Sequence, residues 1–135
     1  MRYQPSQREK QEVESYNEKD RLHFFLTRVV ESEEVWGLSN DHGWILKEQN
    51  GHSILPVWPY ESFASNCILE EWRGYTPGAV SLEHFIYRLL PLISEQNIQL
   101  EILPTASQPG GLVDANKLNE LLESMLESGE YYLEG

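Results

Sequence analysis

Two aromatic segments and an acidic pair hold the side chains best suited to recognition: Trp58-Pro59-Tyr60, Trp72-Arg73-Gly74-Tyr75, and Glu70-Glu71 between them. Trp and Tyr present large rigid surfaces with a polar tip, which is why they anchor protein interfaces. Carboxylates beside them attract a basic partner and steer its approach. Both segments read as loops, where binding residues tend to sit. The expected site is a partly exposed aromatic groove ringed by acid, formed by Trp58, Tyr60, Trp72, Tyr75, Glu70 and Glu71. The competing reading builds a sheet core around the same tryptophans, with Trp36 and Trp44 paired across neighbouring strands of one hairpin.

Other chemistries find less to work with. His23, His42, His52 and His84 never stand at metal-ligand spacing with one another or with Cys67, so no metal site is expected. Neither a Gly-rich phosphate loop nor a Gly-x-Ser-x-Gly elbow is present, and no cofactor is expected. Cys67 with a distant histidine could be a nucleophile; the simpler reading is a small buried hydrophobe on a helix. Glu33-Glu34 and Glu70-Glu71 could do acid–base work, although adjacent acids are usually solvated charge. A catalytic function therefore ranks below binding.

Charge narrows the partner. Ten Lys and Arg against 22 Asp and Glu leave a formal net charge of −12 over 135 residues. Polyanion binding needs clustered cations facing phosphates, so nucleic acid and anionic membranes are poor partners. No apolar run approaches the roughly 18 residues of a membrane span. Met1 to Glu34 carries eight acids and six bases, Val35 to Gly111 eight and three, and Leu112 to Gly135 six and one. The acid thus lies beyond the first helix, and a basic protein is the expected partner. A lone cysteine and an amino terminus without a signal-like apolar stretch point to a reducing cytoplasm.

These residues need elements to carry them. Ser6 to Glu31 reads as one helix with Val13, Tyr16, Leu22, Phe25, Leu26 and Val29 inward, frayed over residues 1–20, and with Glu9, Glu12, Lys19 and Arg21 on a solvated face. Val35 to Trp58 reads as a three-strand meander, turning at Ser39-Asn40-Asp41-His42-Gly43 and at Asn50-Gly51, with Pro56 and Pro59 ending the last strand near Trp58 or placing it at an edge. That edge would permit a homodimer without requiring one. Tyr60 to Leu69 suggests a short helix. Ser81 caps a helix with Leu82, Phe85, Ile86, Leu89 and Ile93 inward, and Pro91 should kink or stop it. Asn97 to Leu103 alternates as a half-buried strand; Gln108 to Gly111 is a loop; Asp114 caps a last helix with Leu118, Leu121, Leu122 and Met125 inward.

The result is an α+β class: a small antiparallel sheet, the meander plus the late strand, packed against three or four helices. Residues 1–127 form a single domain, followed by an acidic tail at 128–135. Glu34-Val35-Trp36-Gly37-Leu38, Gly43-Trp44, Leu55-Pro56-Val57-Trp58-Pro59, Gly74-Tyr75-Thr76-Pro77, Leu90-Pro91 and Leu103-Pro104-Thr105 before Val113-Asp114 form an ordered series of landmarks. From about Leu22 to Leu122 the chain resembles the bacterial family of small proteins known as domain of unknown function 2750. More faintly, the order of elements is similar to the amino-terminal domain of SseB-type secretion-associated proteins. The resemblance implies a fold and no catalytic residues. The expected function is a non-catalytic interaction or accessory module; an immunity protein or inhibitor of a basic toxin, and a small enzyme with a non-obvious site, stand as alternatives.

Overall fold

The computed structural model describes residues 5–68 and 72–128. The opening helical stretch is two helices, α1 (Gln7–Glu14) and α2 (Glu18–Ser32). Ser6 and Glu9 form a reciprocal capping box at the start of α1; of the stretch expected to fray, residues 1–4 lie outside the described residues. The break comes where Asn17 offers its side chain to the Asp20 N–H at 2.8 Å, starting a new helix in place of continuing the old one. Phe24, Phe25, Leu26, Val29 and Val30 are buried. So is Arg21, only 2% exposed, on the face expected to be solvated.

The expected meander is instead two hairpins in two sheets. In the first sheet β1 (Glu34–Asn40) lies between β2 (Gly43–Trp44) and β5 (Thr76–Ser81), all antiparallel. In the second, β3 (Lys47–Gln49) and β4 (His52–Val57) form a hairpin around Asn50-Gly51, both at positive φ as such two-residue turns require. Beyond β4 come β6 (Gln99–Ile102), parallel to it, and β7 (Gly111–Asp114), antiparallel to β6. A two-bond bridge between Trp36 and Trp58 joins the sheets, with N–H to carbonyl distances of 2.8 and 2.9 Å.

Trp36 therefore pairs with Trp58 and not with Trp44. Trp44 stands opposite Ser39 and lays its ring on Gly37, where a Cβ would come within 1.8 Å of the indole. The strand β5, unexpected in so broken a stretch, tolerates Pro77 because an edge strand needs its N–H groups on one side only. The strand β4 ends at Val57, next to Trp58, as expected; it is interior to its sheet, and Pro56 is tolerated because the pairing with β3 stops at Ile54, before Pro56 is reached. The strand β7 was also unexpected, its four residues being too few for a period to show.

Short helix α3 (Glu61–Ser65) buries Phe63 and Ala64. Ser81 caps α4 (Leu82–His84), which runs through a π-helical turn (Phe85–Leu89) into α5 (Leu90–Glu95). That wide turn, closed by the Leu90 N–H on the Phe85 carbonyl, precedes Pro91 and relieves the clash its ring would make with the carbonyl of Tyr87. The helix bends its hydrogen bonding and does not stop. Asp114 caps α6 (Ala115–Ser128), accepting the Lys117 N–H at 2.8 Å. Helices α2 and α6 pack against the face of the second sheet that carries Leu55, Val57, Leu100 and Ile102. The register puts Lys47, Ile54, Pro56, Glu101 and Leu112 on the opposite face. The fold is α+β, with two small, mostly antiparallel sheets. Of the expected acidic tail, residues 129–135 lie outside the described residues.

Candidate functional site

The chain between β6 and β7 is where distant parts of the sequence converge. It starts with strain: Leu103 has φ of +57°, a left-handed conformation costly for a branched side chain and kept only where surroundings hold it. The Leu103 N–H donates to the Val57 carbonyl at 2.9 Å, and the Leu103 carbonyl accepts from Arg21 Nη1 at 2.5 Å. One residue on, the Pro104 carbonyl accepts from Trp58 Nε1 at 2.7 Å and from the Cys67 thiol at 3.3 Å. Helix α2, the end of β4 and the end of α3 thus each contribute one buried side chain to the same two carbonyls.

The far end of the loop is held as firmly. The Gly110 N–H donates to Glu101 Oε2 at 2.8 Å, and a Cβ at Gly110 would lie 2.2 Å from the Ile102 carbonyl oxygen, so only glycine fits. Between the ends, Thr105 and Gln108 close a turn on each other, and the hydroxyls of Thr105 and Ser107 both donate to Glu14 Oε1, at 2.8 and 2.5 Å.

This hydrogen-bonded loop lines a cleft of about 330 Å³ together with the half-buried Trp72. Lys47, Glu101 and Cys67 complete the lining. The Lys47 ammonium lies against Glu101 Oε1 and 5.9 Å from the centre of the Trp72 ring. The Glu101 side chain is 4% exposed and that of Lys47 30%. Oε1 receives no aligned hydrogen bond, so among the described residues Lys47 is the one counter-charge resting on it. Behind the loop, Arg21 also donates Nε to the Tyr16 carbonyl at 3.2 Å, while its Nη2 is buried without a partner. Burial holds the Arg21 guanidinium below its ordinary pKa, against the opposing pull of Glu14 and Glu101.

The expected aromatic groove is only partly where the sequence placed it. Trp58 and Tyr60 are 0% and 3% exposed and belong to the core, because the Trp36 bridge and the bond to Pro104 draw the 58–60 segment inward. Tyr60 stacks on Phe63 with ring centres 6.2 Å apart. Tyr75 is half-buried at the entry to β5, and its N–H closes a turn on the Trp72 carbonyl. Glu70 and Glu71 lie outside the described residues. Of the expected site residues that are described, Trp72 lines the cleft and Trp58, Tyr60 and Tyr75 do not; Trp58 supports the opposite wall through its bond to Pro104.

Sequence reasoning did not single out Lys47, Glu101 or Arg21. Glu101 falls on the polar side of an alternating strand, and nothing local to it reveals that β4 and β7 flank it and that a loop closes over it. Arg21 sits among charged neighbours that are indeed exposed.

The structure places Cys67 as the small buried hydrophobe of the simpler reading. It is 4% exposed, its thiol donates to a carbonyl, and burial pushes its pKa up to about 11. His84 does not line the cleft. Among the described residues no three His, Cys, Asp or Glu side chains are grouped to hold a metal ion, and no helix is long and apolar enough to cross a membrane.

Residues 22–122 match the model of a family described as "Protein of unknown function (DUF2750)". The chain belongs to that family. The matched span of the DUF2750 domain contains every element of the loop clamp except Glu14 and Arg21: Arg21 stands immediately before it, and Trp58, Cys67, Glu101 and Leu103 to Gly110 fall inside. A search of curated proteins finds no match to the chain.

The raised thiol pKa has a measurable consequence. An acid whose folded pKa exceeds its unfolded value keeps its proton longer in the folded state, so stability falls as pH rises from about 9 toward 11. Over two pH units the loss amounts to about 2 to 3 kcal/mol. Urea midpoints measured across this range should fall more steeply in the native chain than in Cys67→Ala, where tyrosines and lysines alone titrate; an unchanged slope in the variant would assign it wholly to those groups.

Proposed function

We propose that the chain is a non-catalytic cytoplasmic interaction module that holds a basic protein at the cleft between Trp72 and the loop from Pro104 to Pro109. The observation that carries this reading is the construction of that loop. A strained Leu103 and three buried side chains from remote segments keep it in one shape, which suits a surface that must be complementary to something before it arrives. The Trp72 ring supplies an aromatic anchor opposite it. The net charge of −12 sets the sign of the partner and would speed its approach.

Catalysis is less well supported by the same residues. The thiol is protonated at neutral pH and Glu101 is occupied by Lys47 and the Gly110 N–H. Immobilised protein should therefore retain a basic protein from its host at low salt and release it as ionic strength rises, since exposed charge pairs are screened within about 10 Å at 0.1 M salt. Nothing retained at low salt, or retention indifferent to salt, would overturn the reading.

A further inference from the structure

The cleft contains a site whose chemistry is more specific than its shape, and a role for that site in recognition rests on the binding reading proposed above. Three facts define it. A carboxylate, Glu101, is buried almost completely at the cleft floor. An aromatic face, Trp72, stands beside it. And the position where both meet is filled by a primary ammonium that belongs to the protein itself, Lys47, brought across β4 from the edge strand β3.

A buried carboxylate without a counter-charge is strongly disfavoured, and an ammonium gains from an aromatic face as well as from a carboxylate. The two groups together make a receptor for a cation. Lys47 comes from a three-residue edge strand and remains 30% exposed, so it can leave this position without unpacking the core.

We infer that the cleft is a receptor for a primary alkylammonium, the side chain of a lysine on the partner, and that Lys47 is a resident stand-in which the incoming lysine displaces. The choice of ammonium over guanidinium follows from the carboxylate. Glu101 Oε2 already accepts the Gly110 N–H, which leaves Oε1, the oxygen on which Lys47 rests, for an incoming cation. A guanidinium fork is best matched by two free carboxylate oxygens, whereas a compact ammonium needs one. The apolar stem of an incoming lysine would lie along Trp72 and the rings of Pro104 and Pro109. Displacement exchanges one ammonium for another at the carboxylate and frees Lys47 to solvent, so no buried charge is left alone at any stage.

Lys47→Ala empties the position, and small amines can then be offered in its place. In this variant n-butylammonium should restore at least half of the lost unfolding midpoint. n-Butanol should not, and n-butylguanidinium at the same ionic strength should restore less than the amine. The native chain, in which the amine must first displace Lys47, should gain less, and its Trp72 indole resonance should still shift at higher amine concentration; no shift there would overturn the displacement. Trp72→Leu placed on top of Lys47→Ala should abolish the rescue, and the Trp72 indole resonance of Lys47→Ala should shift with amine and not with alcohol. Lys47→Met, which keeps the apolar stem, carries the same comparison where Lys47→Ala does not fold. Equal effects of amine and alcohol, equal rescue of the native chain, or a stronger effect of the guanidinium would each overturn the assignment. Rescue without any retained protein partner would leave the cation site standing and remove the protein-binding reading; a retained partner without rescue would do the reverse.

Discussion

Trp58→Ala is expected to destabilise the protein by about 3 to 5 kcal/mol, the range for truncating a large aromatic side chain in a close-packed core. Trp58 has no exposed surface, so the substitution removes its whole apolar area and leaves a cavity. It also removes one of the two donors on the Pro104 carbonyl, leaving the longer bond from Cys67. The backbone bridge to Trp36 survives the substitution but loses the side chain that packs it. Urea denaturation of the variant should show a lower midpoint with little change in slope. Trp58→Phe separates the contributions: it keeps most of the apolar area, loses the indole N–H, and should cost about 1 to 3 kcal/mol. A Trp58→Ala protein as stable as the native one would mean that the ring is not in the core.

Arg21→Ala should have an effect of similar size, about 2 to 4 kcal/mol, for a different reason. Its guanidinium is the donor to the carbonyls of Leu103 and Tyr16, and both would be left without it in surroundings that bury Arg21 to 2% exposure. Some of that loss is offset, because the variant no longer carries a desolvated charge with one unpartnered nitrogen. Arg21→Met, which fills the volume without the charge, should therefore cost less than Arg21→Ala. The loss should also be local in character. Without the bond to its carbonyl, Leu103 has less to hold it in the left-handed region, and amide exchange should accelerate between Leu103 and Gly110 more than in α6. Uniform acceleration through the whole domain would show that Arg21 supports the core generally and not the loop.

The parts of this architecture that were legible in the sequence are those written locally. Asn50-Gly51 specified its hairpin, Ser81 and Asp114 capped their helices, and alternation from Ile98 to Ile102 marked β6. The division into two sheets was not legible, because the distinction between one meander and two hairpins lies in the pairing of Trp36 with Trp58 across more than twenty residues. Nor was β5, whose Pro77 and Gly78 weaken a strand signal that only its partner β1 makes good.

The site shows the same boundary. Composition pointed to tryptophan loops, and Trp72 does line the cleft, yet Trp58 and Tyr60 turned inward for reasons set by the Leu103-Pro104 turn. Buried charge was the least legible feature of all. Arg21 and Glu101 look like surface residues in their local sequence, and each is buried because a segment 82 or nine residues away supplies a partner, the Leu103 carbonyl in one case and the Gly110 N–H in the other.

Stability and binding should weigh differently on two tryptophans. Trp58 belongs to the structure behind the loop, and Trp72 belongs to the cleft in front of it. The most direct test is whether Trp72→Ala loses the retention of a basic protein proposed for the native chain, measured beside its urea midpoint. Because Trp72 is only partly buried against the core, the substitution should weaken the fold by about 1 to 3 kcal/mol, less than Trp58→Ala, and should abolish retention. A Trp72→Ala protein that folds and still retains its partner as well as the native chain would contradict it.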